Sequence, residues 1–474
     1  MGLKTFSVNF QNISKEKTFR YDVDFSYFQN DFFIDNYYAF NDLFEIKKNN
    51  KVNIENLNDD FLYSEIGNVS KDGEVKPVRV NFAERKEDEE KYYKKIEKGD
   101  IIQVEEQDIL LSKVRPNLKK YILINEENVN YFYTSAFIHL KSKLSGTVFY
   151  YSLRTIFYDN LISISRQGKG YPTLNEDDFL NLKFDKAIID KLIEKQNEIV
   201  AQIESIENTI KKLKSQITPA QEIINKVFAR EFRFDLEGFK SLKRIKNYYI
   251  DFFAFGNNRD IRQSVKFHRE AGTFIIKQLK KITNKKVKDF ISEPIVLGKG
   301  VSPKDYDENG DYYYISMANI KNYQFETEDS KLLSKEYSDK NQNKAVAKND
   351  ILIARSGEGT IGKVALIDDE DLQGIFADFT MRIRLQKCNP LFAYYYFRTE
   401  YFQYLIEINK KGLGNNTNIF PSQIQELPMI DICVKEQKKI VDEIKAELDK
   451  QEEIKNKIKC ERDKIDEIIE KAIK

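Results

Sequence analysis

Ile189, Leu192, Gln196, Ile199, Ile203, Ile206, Ile210, Leu213 and Ile217 recur at alternating steps of three and four residues. That spacing is a heptad seam with one polar position, and it predicts a helix from about Lys186 to Ile217. Glu, Lys, Gln and Asn fill much of the other faces, and most of these favour helix. Pro219, preceded by Thr218, ends it. The stretch from about Val434 to Lys474 contains neither Gly nor Pro and predicts a second long helix. Each helix alone would expose an apolar stripe, so the two are expected to pack together, antiparallel. About thirty residues at the helical rise make a rod of roughly 45 Å.

The second helix repeats the first. Displaced by 241 positions, EKQNEIVAQI falls on KEQKKIVDEI: Gln196 meets Gln437, Ile199 meets Ile440 and Ile203 meets Ile444. Leu213 and Ile217 meet Ile454 and Ile458, whereas Ile206 and Ile210 meet the polar Glu447 and Gln451. The segments between the helices echo each other too. Phe19–Asp24 (FRYDVD) is similar to Phe232–Glu237 (FRFDLE), and Asp108–Leu111 (DILL) to Asp350–Ile353 (DILI). The plan is globule, helix, globule, helix, and a duplication of this size is a tandem of two half-molecules.

Between the helices the apolar runs are short and punctuated. ILIARSGEGTIGKVAL, residues 351–366, contains the spacing Gly357-x-Gly359-x-x-Gly362 after an apolar run. A dinucleotide-binding loop needs a helix next. KVALI instead reads as a second strand, so the glycines are expected to shape a hairpin. That hairpin is either purely structural or presents Arg355, Ser356 and Lys363 to a nucleic-acid backbone or groove. Its counterpart, QDILLSKVRPNLKKYILI, puts Lys113, Arg115, Lys119 and Lys120 between two apolar strands. Basic, glycine-containing loops also precede each long helix. The first carries Arg166 and Lys169, the second Lys411 and Asn415; a further stretch carries Arg262, Lys266 and His268. Charge runs of this kind are commonly wet surface. Recurrence of the loops at matching places marks them as candidate DNA contacts.

The composition limits the alternatives. In 474 residues, 77 Lys and Arg nearly cancel 76 Asp and Glu, so overall charge does not mark a nucleic-acid binder. Three cysteines and two distant histidines argue against a structural metal site. No stretch approaches eighteen apolar residues and the opening segment has no signal-peptide core, so a soluble cytoplasmic protein is expected. No Walker A, HExxH or GxSxG motif occurs. Asn389-Pro390-Leu391-Phe392 lacks the second proline of an amino-methyltransferase loop and leads into AYYYFRTEYFQYL, an aromatic helix. His139 lies in an apolar stretch and reads as a packed core residue. A non-catalytic binding and scaffold protein is expected, its globules contacting DNA or, alternatively, protein.

The Asp350–Ile367 stretch, its Asp108–Ile124 counterpart, and YPTLNEDDF and IFPSQIQELPM ahead of the two helices together resemble the specificity subunit of type I restriction-modification enzymes. The resemblance implies a mixed α/β fold, a pseudo-twofold tandem duplication. Residues 1–182 and 226–430 would be target recognition domains, joined by antiparallel coiled-coil spacer helices at 183–225 and 431–474. Ile189, Leu192, Ile199, Ile203, Ile206, Ile210, Leu213, Ile440, Ile444, Ile454 and Ile458 would pack the spacer. Such a subunit binds a bipartite, here asymmetric, double-stranded DNA target and has no catalysis or cofactor of its own. It positions two methyltransferase subunits, which carry S-adenosylmethionine, and restriction subunits, which use ATP and Mg. No membrane is involved.

Overall fold

A computed structural model of the chain describes residues 36–47, 60–83, 90–167, 170–245, 247–256, 262, 264–321, 324–327, 330–357, 359–412 and 417–474. The Phe19–Asp24 half of one sequence echo lies outside them. The chain forms two compact units. Unit 1 runs to Gln216 and takes in Asn456–Lys474; unit 2 is Ile217–Lys455.

Unit 1 contains strands β1 (Phe44–Ile46), β2 (Asp60–Ser64), β3 (Val78–Asn81), β4 (Asp108–Ser112), β5 (Tyr121–Leu123), β6 (Phe132–Tyr133) and β7 (Phe137–Ser142). Unit 2 contains β8 (Val296–Leu297), β9 (Tyr312–Ile315), β10 (Leu332–Leu333), β11 (Ile351–Ala354), β12 (Val364–Leu366), β13 (Gly374–Phe376) and β14 (Thr380–Ile383). In unit 1 these form a four-stranded sheet of order β1-β7-β4-β5 and a three-stranded sheet of order β3-β2-β6. In unit 2 the orders are β8-β14-β11-β12 and β10-β9-β13. Adding seven to each label turns one set into the other. The directions agree as well: β2 with β6 and β9 with β13 are parallel, and the other neighbours are antiparallel.

The central strands β4 and β11 are buried along their whole length, as short continuous apolar runs require. Each is entered through an aspartate whose carboxylate accepts from the backbone three residues earlier: Asp108 from Glu105 N and Asp350 from Ala347 N, both 2.8 Å. A carboxylate taken so far from water needs a cation or donors around it. Asp108 meets His139 Nε2 at 2.6 Å and Lys47 at 3.5 Å; Asp350 meets Arg384 Nε at 2.7 Å. His139 is thus a packed residue, buried against its aspartate.

Helices cover the sheets. In unit 1 these are α1 (Gly146–Arg154), α2 (Tyr158–Ser163), α3 (Lys186–Glu194) and α4 (Gln196–Lys214). Unit 2 includes α5 (Ala220–Phe232), α6 (Pro390–Arg398) and α7 (Glu400–Asn409). The last helix, α8 (Val434–Ala472), has residues in both units. Asn389 caps α6 by accepting from Leu391 N and Phe392 N, with Pro390 in its first turn. The expected aromatic helix is therefore two helices, divided at Thr399, which caps α7. No helix among the described residues is long and apolar enough to cross a membrane.

The first long helix differs from its expected form. It is interrupted at Lys195 and stops at Lys214. Pro219 has no N–H and disfavours a helical Thr218, so the chain leaves the helix before it and starts α5 after it. The chain passes from unit 1 to unit 2 between Gln216 and Ile217, inside the segment expected as spacer.

Of the seam residues, Ile189, Leu192, Ile199, Ile203, Ile210 and Ile458 are buried. Ile206, Leu213 and Ile454 are half-buried. Leu192 lines a small cleft with Val148 and Phe149 of α1. Near the end of α8, Lys191 Nζ donates to Ile473 O at 2.7 Å and Lys195 Nζ to Ala472 O at 3.0 Å. Ile440 and Ile444 sit elsewhere than on a helix seam alone. They belong to the unit 2 core with Phe228 of α5 and Phe392 and Tyr396 of α6, because the first turns of α8 cross the aromatic face.

Candidate nucleic-acid interface

In unit 2, β11 and β12 form the expected hairpin, with Ile351 opposite Leu366 and Ile353 opposite Val364. Gly357, Gly359 and Gly362 all have positive φ, of 91°, 75° and 84°, a region that costs other residues energy. A Cβ at Gly362 would lie 2.6 Å from Gln403 Oε1. Gln403 Nε2 instead donates to Gly362 O at 2.8 Å, tying the loop to α7. No phosphate-binding helix follows.

The loop ahead of α8 lies on this hairpin. Ile419 N donates to Arg355 O at 2.9 Å, Ser356 bridges to Asn418, and Asn418 and Lys411 exchange backbone hydrogen bonds of 2.7 Å. Arg355, Ser356 and Lys411 are thereby brought together. The Arg355 guanidinium reaches Asn418 Oδ1 at 3.4 Å and lies 5.7 Å from the centre of the half-exposed Phe420 ring. Its Nε is buried with no hydrogen-bond partner among the described residues.

Unit 1 builds the same assembly from different side chains. Leu174 N donates to Lys113 O at 2.8 Å and Val114 bridges to Thr173. Lys113 therefore occupies the place of Arg355, Val114 that of Ser356, and Leu174 that of Ile419. Arg115 and Lys119 flank the Pro116 turn with φ of 50° each. Arg115 N donates to Pro172 O at 2.8 Å, and its exposed guanidinium lies 5.2 Å from the centre of the Tyr171 ring.

Several candidate cations have internal partners. Lys113 Nζ donates to Ser135 O at 3.0 Å and pairs with Glu176 at 2.9 Å. Lys119 Nζ donates to Arg154 O at 2.7 Å, and burial, followed by the nearby Arg154 charge, lowers its pKa. Arg166 makes hydrogen bonds of 2.6 and 2.7 Å to the buried Asp178. Arg262 donates to Asn409 O and Lys410 O at 3.0 and 2.7 Å, holding the end of α7 where the loop departs. Lys266 pairs with Glu407 at 3.1 Å. Among the described residues no partner meets the Lys363 ammonium. Lys169 and Asn415 lie outside the described residues. Sequence reasoning missed Asn418, although it shares a loop with Asn415, and Phe379, whose carbonyl accepts from Arg355 N at 2.9 Å.

Residues 279–461 match the family model described as the type I restriction modification DNA specificity domain. This segment is similar to the type I DNA specificity domain. It contains β8–β14, α6, α7, the Arg355 hairpin and the loop that packs on it. No curated protein matches the chain. Among solved structures, the chain is similar to the type I restriction-modification S subunit from M. genitalium. Identity is 12%, coverage is 93% of this chain and 96% of that one, and the TM-score is 0.39. The HsdS subunit from Thermoanaerobacter tengcongensis matches at 12% identity over 92% and 96%, with a TM-score of 0.30. A chain from a structure of type I R-M complex assembly and conformational transition matches at 12% over 93% and 97%, with a TM-score of 0.41.

Proposed function

We propose that the chain is the DNA-specificity subunit of a type I restriction-modification complex, with two target recognition domains that read an asymmetric bipartite site. The observation that carries this reading is the repeat. The specificity domain of unit 2 has its strand order, strand directions and hairpin-plus-loop assembly matched in unit 1. Two such assemblies on one chain suit two half-sites. Their different side chains, Lys113-Val114 against Arg355-Ser356, suit two different sequences.

The long helices act as the spacer. Lys191 and Lys195 bond to the carbonyls at the end of α8, and Thr218 N bonds to Gln451 Oε1 at 2.8 Å, as an antiparallel pair would. The outer faces of these helices dock two methyltransferase subunits, and restriction subunits complete the nuclease. The chain itself supplies no catalysis, S-adenosylmethionine, ATP and Mg being held by the partners.

The test is to co-express the chain with its methyltransferase partner and map methylated adenine across DNA. The expected result is one bipartite motif with a constant gap, and a changed gap when α4 is lengthened or shortened. A competent complex that methylates without such a motif would overturn the assignment.

A further inference from the structure

The two units also differ at a turn next to these hairpins. In each, the second strand of the parallel pair ends in a tight turn that feeds the four-stranded sheet. In unit 1 Thr134 N donates to Ser64 O at 3.0 Å, Phe137 N to Thr134 O at 3.3 Å, and Lys113 N to Ala136 O at 3.1 Å. In unit 2 the matching bonds run from Ala377 N to Ile315 O, Thr380 N to Ala377 O and Arg355 N to Phe379 O, each 2.9 Å. Ser135 thus corresponds to Asp378, and Ala136 to Phe379.

In unit 1 the polar groups of the turn are engaged. The Asp100 carboxylate accepts from Ser135 N and Ser135 Oγ, both at 2.7 Å, and from Thr134 Oγ1 at 2.9 Å. In unit 2 a cavity of about 360 Å³ opens beside the turn, lined by Val301, Tyr314, Met317, Asp378 and Phe379 among others. It lies beyond the carboxyl ends of the parallel neighbours β9 and β13. Phe379 is 52% exposed. Asp378 is half-buried, and among the described residues no donor reaches its carboxylate. The turn adjoins the Arg355 hairpin directly through the Phe379 carbonyl.

We propose that this cavity is a base-reading pocket of unit 2. The Asp378 carboxylate accepts a hydrogen bond from the exocyclic amino group of a cytosine or adenine in the major groove, and Phe379 packs on the apolar edge of that base. A carboxylate suits this role because guanine O6 and thymine O4 present acceptors there and are repelled. The pocket rests on the DNA reading above and adds to it the chemical class that one half-site must contain.

The experiment uses the full chain with its methyltransferase partner. Methylated-adenine motifs are read for the wild type and for Arg355→Ala, Asp378→Ala and Phe379→Ala. Asp378→Ala and Phe379→Ala should each relax one position, or two adjacent ones, where the wild type demands C or A. Discrimination there should fall about tenfold. The position should lie in the half-site that Arg355→Ala also alters, with the other half-site and the gap intact. If a variant loses methylation altogether, competition binding with single-base-changed duplexes reads the same preference. The pocket is refuted if both variants keep every wild-type preference while Arg355→Ala alters its half-site, or if the relaxed position lies in the other half-site. A wild-type complex with no bipartite motif would instead remove the underlying specificity reading, and the pocket's role with it.

Discussion

Arg166 lies against a carboxylate that is fully buried, and its side chain is 43% exposed. Removing the guanidinium would take two charge-assisted hydrogen bonds from the buried Asp178 carboxylate, so Arg166→Ala should destabilise unit 1 by about 2 kcal/mol after allowance for solvent screening. Lys363→Ala should change stability by less than about 0.5 kcal/mol. Urea denaturation of both variants checks the contrast. Gly362→Ala must place a Cβ at a φ of 84° and against Gln403, and should cost at least about 1–2 kcal/mol in the same assay. Burial pushes the Cys388 thiol up to about 12. A neutral buried thiol is a poor nucleophile. Alkylation of the native protein near pH 8 should therefore label the exposed Cys433 and Cys460, and Cys388 only after unfolding, as mass spectrometry would read. At this scale the glycines of the hairpin were legible, because the demand they meet is local. The partners of Arg166 and Lys113 were not: a cation in a basic loop carries no mark of the acid that folding brings to it.

At the level of elements, the start of α8 is tied down by one buried amide. Gln437 Oε1 accepts from Asn389 N at 2.7 Å, and its Nε2 donates to Ile432 O at 2.9 Å. Gln437→Ala would leave buried backbone groups unpaired and should cost about 1–3 kcal/mol. Gln437→Glu restores the acceptor but not the donor, so it should recover only part of that stability; thermal denaturation distinguishes the two. The turn before α8 is held by Glu426, whose carboxyl is lowered from 4.5 to about 2 by hydrogen bonds from Lys286 and Lys288. A depressed carboxylate contributes fully above its unfolded value and loses that contribution as pH falls toward 2. Glu426→Gln should therefore flatten the decline of stability between about pH 4.5 and 2, followed by denaturant titration at a series of pH values. The heptad spacing identified the first long helix, though not its break at Lys195, and the lack of Gly and Pro identified the second. It did not reveal that Ile440 and Ile444 enter an aromatic core, since an apolar stripe is the same in sequence whatever covers it.

Over the whole molecule, a net charge of +1 leaves little long-range attraction for DNA. Affinity of the assembled complex should still fall with salt, because phosphate contacts release counterions. Arg355→Glu with Lys363→Glu should weaken binding and lower the slope of log affinity against log salt, measured by fluorescence titration. Unchanged affinity and slope would favour globules that bind protein.

The sequence by itself determined the duplicated plan, the two long helices and the hairpins. Periodicity and positive-φ glycines act between near neighbours in the chain, so they are written locally. Tertiary structure alone decided that Leu174 and Ile419 are equivalent: the hairpins, with Lys113 and Arg355, repeat at 242 positions, as their sequences already show, whereas Leu174 and Ile419, which bond to them, are 245 apart. It also decided that Asp100 occupies the turn in unit 1 while the turn at Asp378 opens onto a cavity. Both depend on segments distant in sequence meeting at one sheet end, where the shape of the backbone, and not the spacing of residues, sets what touches what.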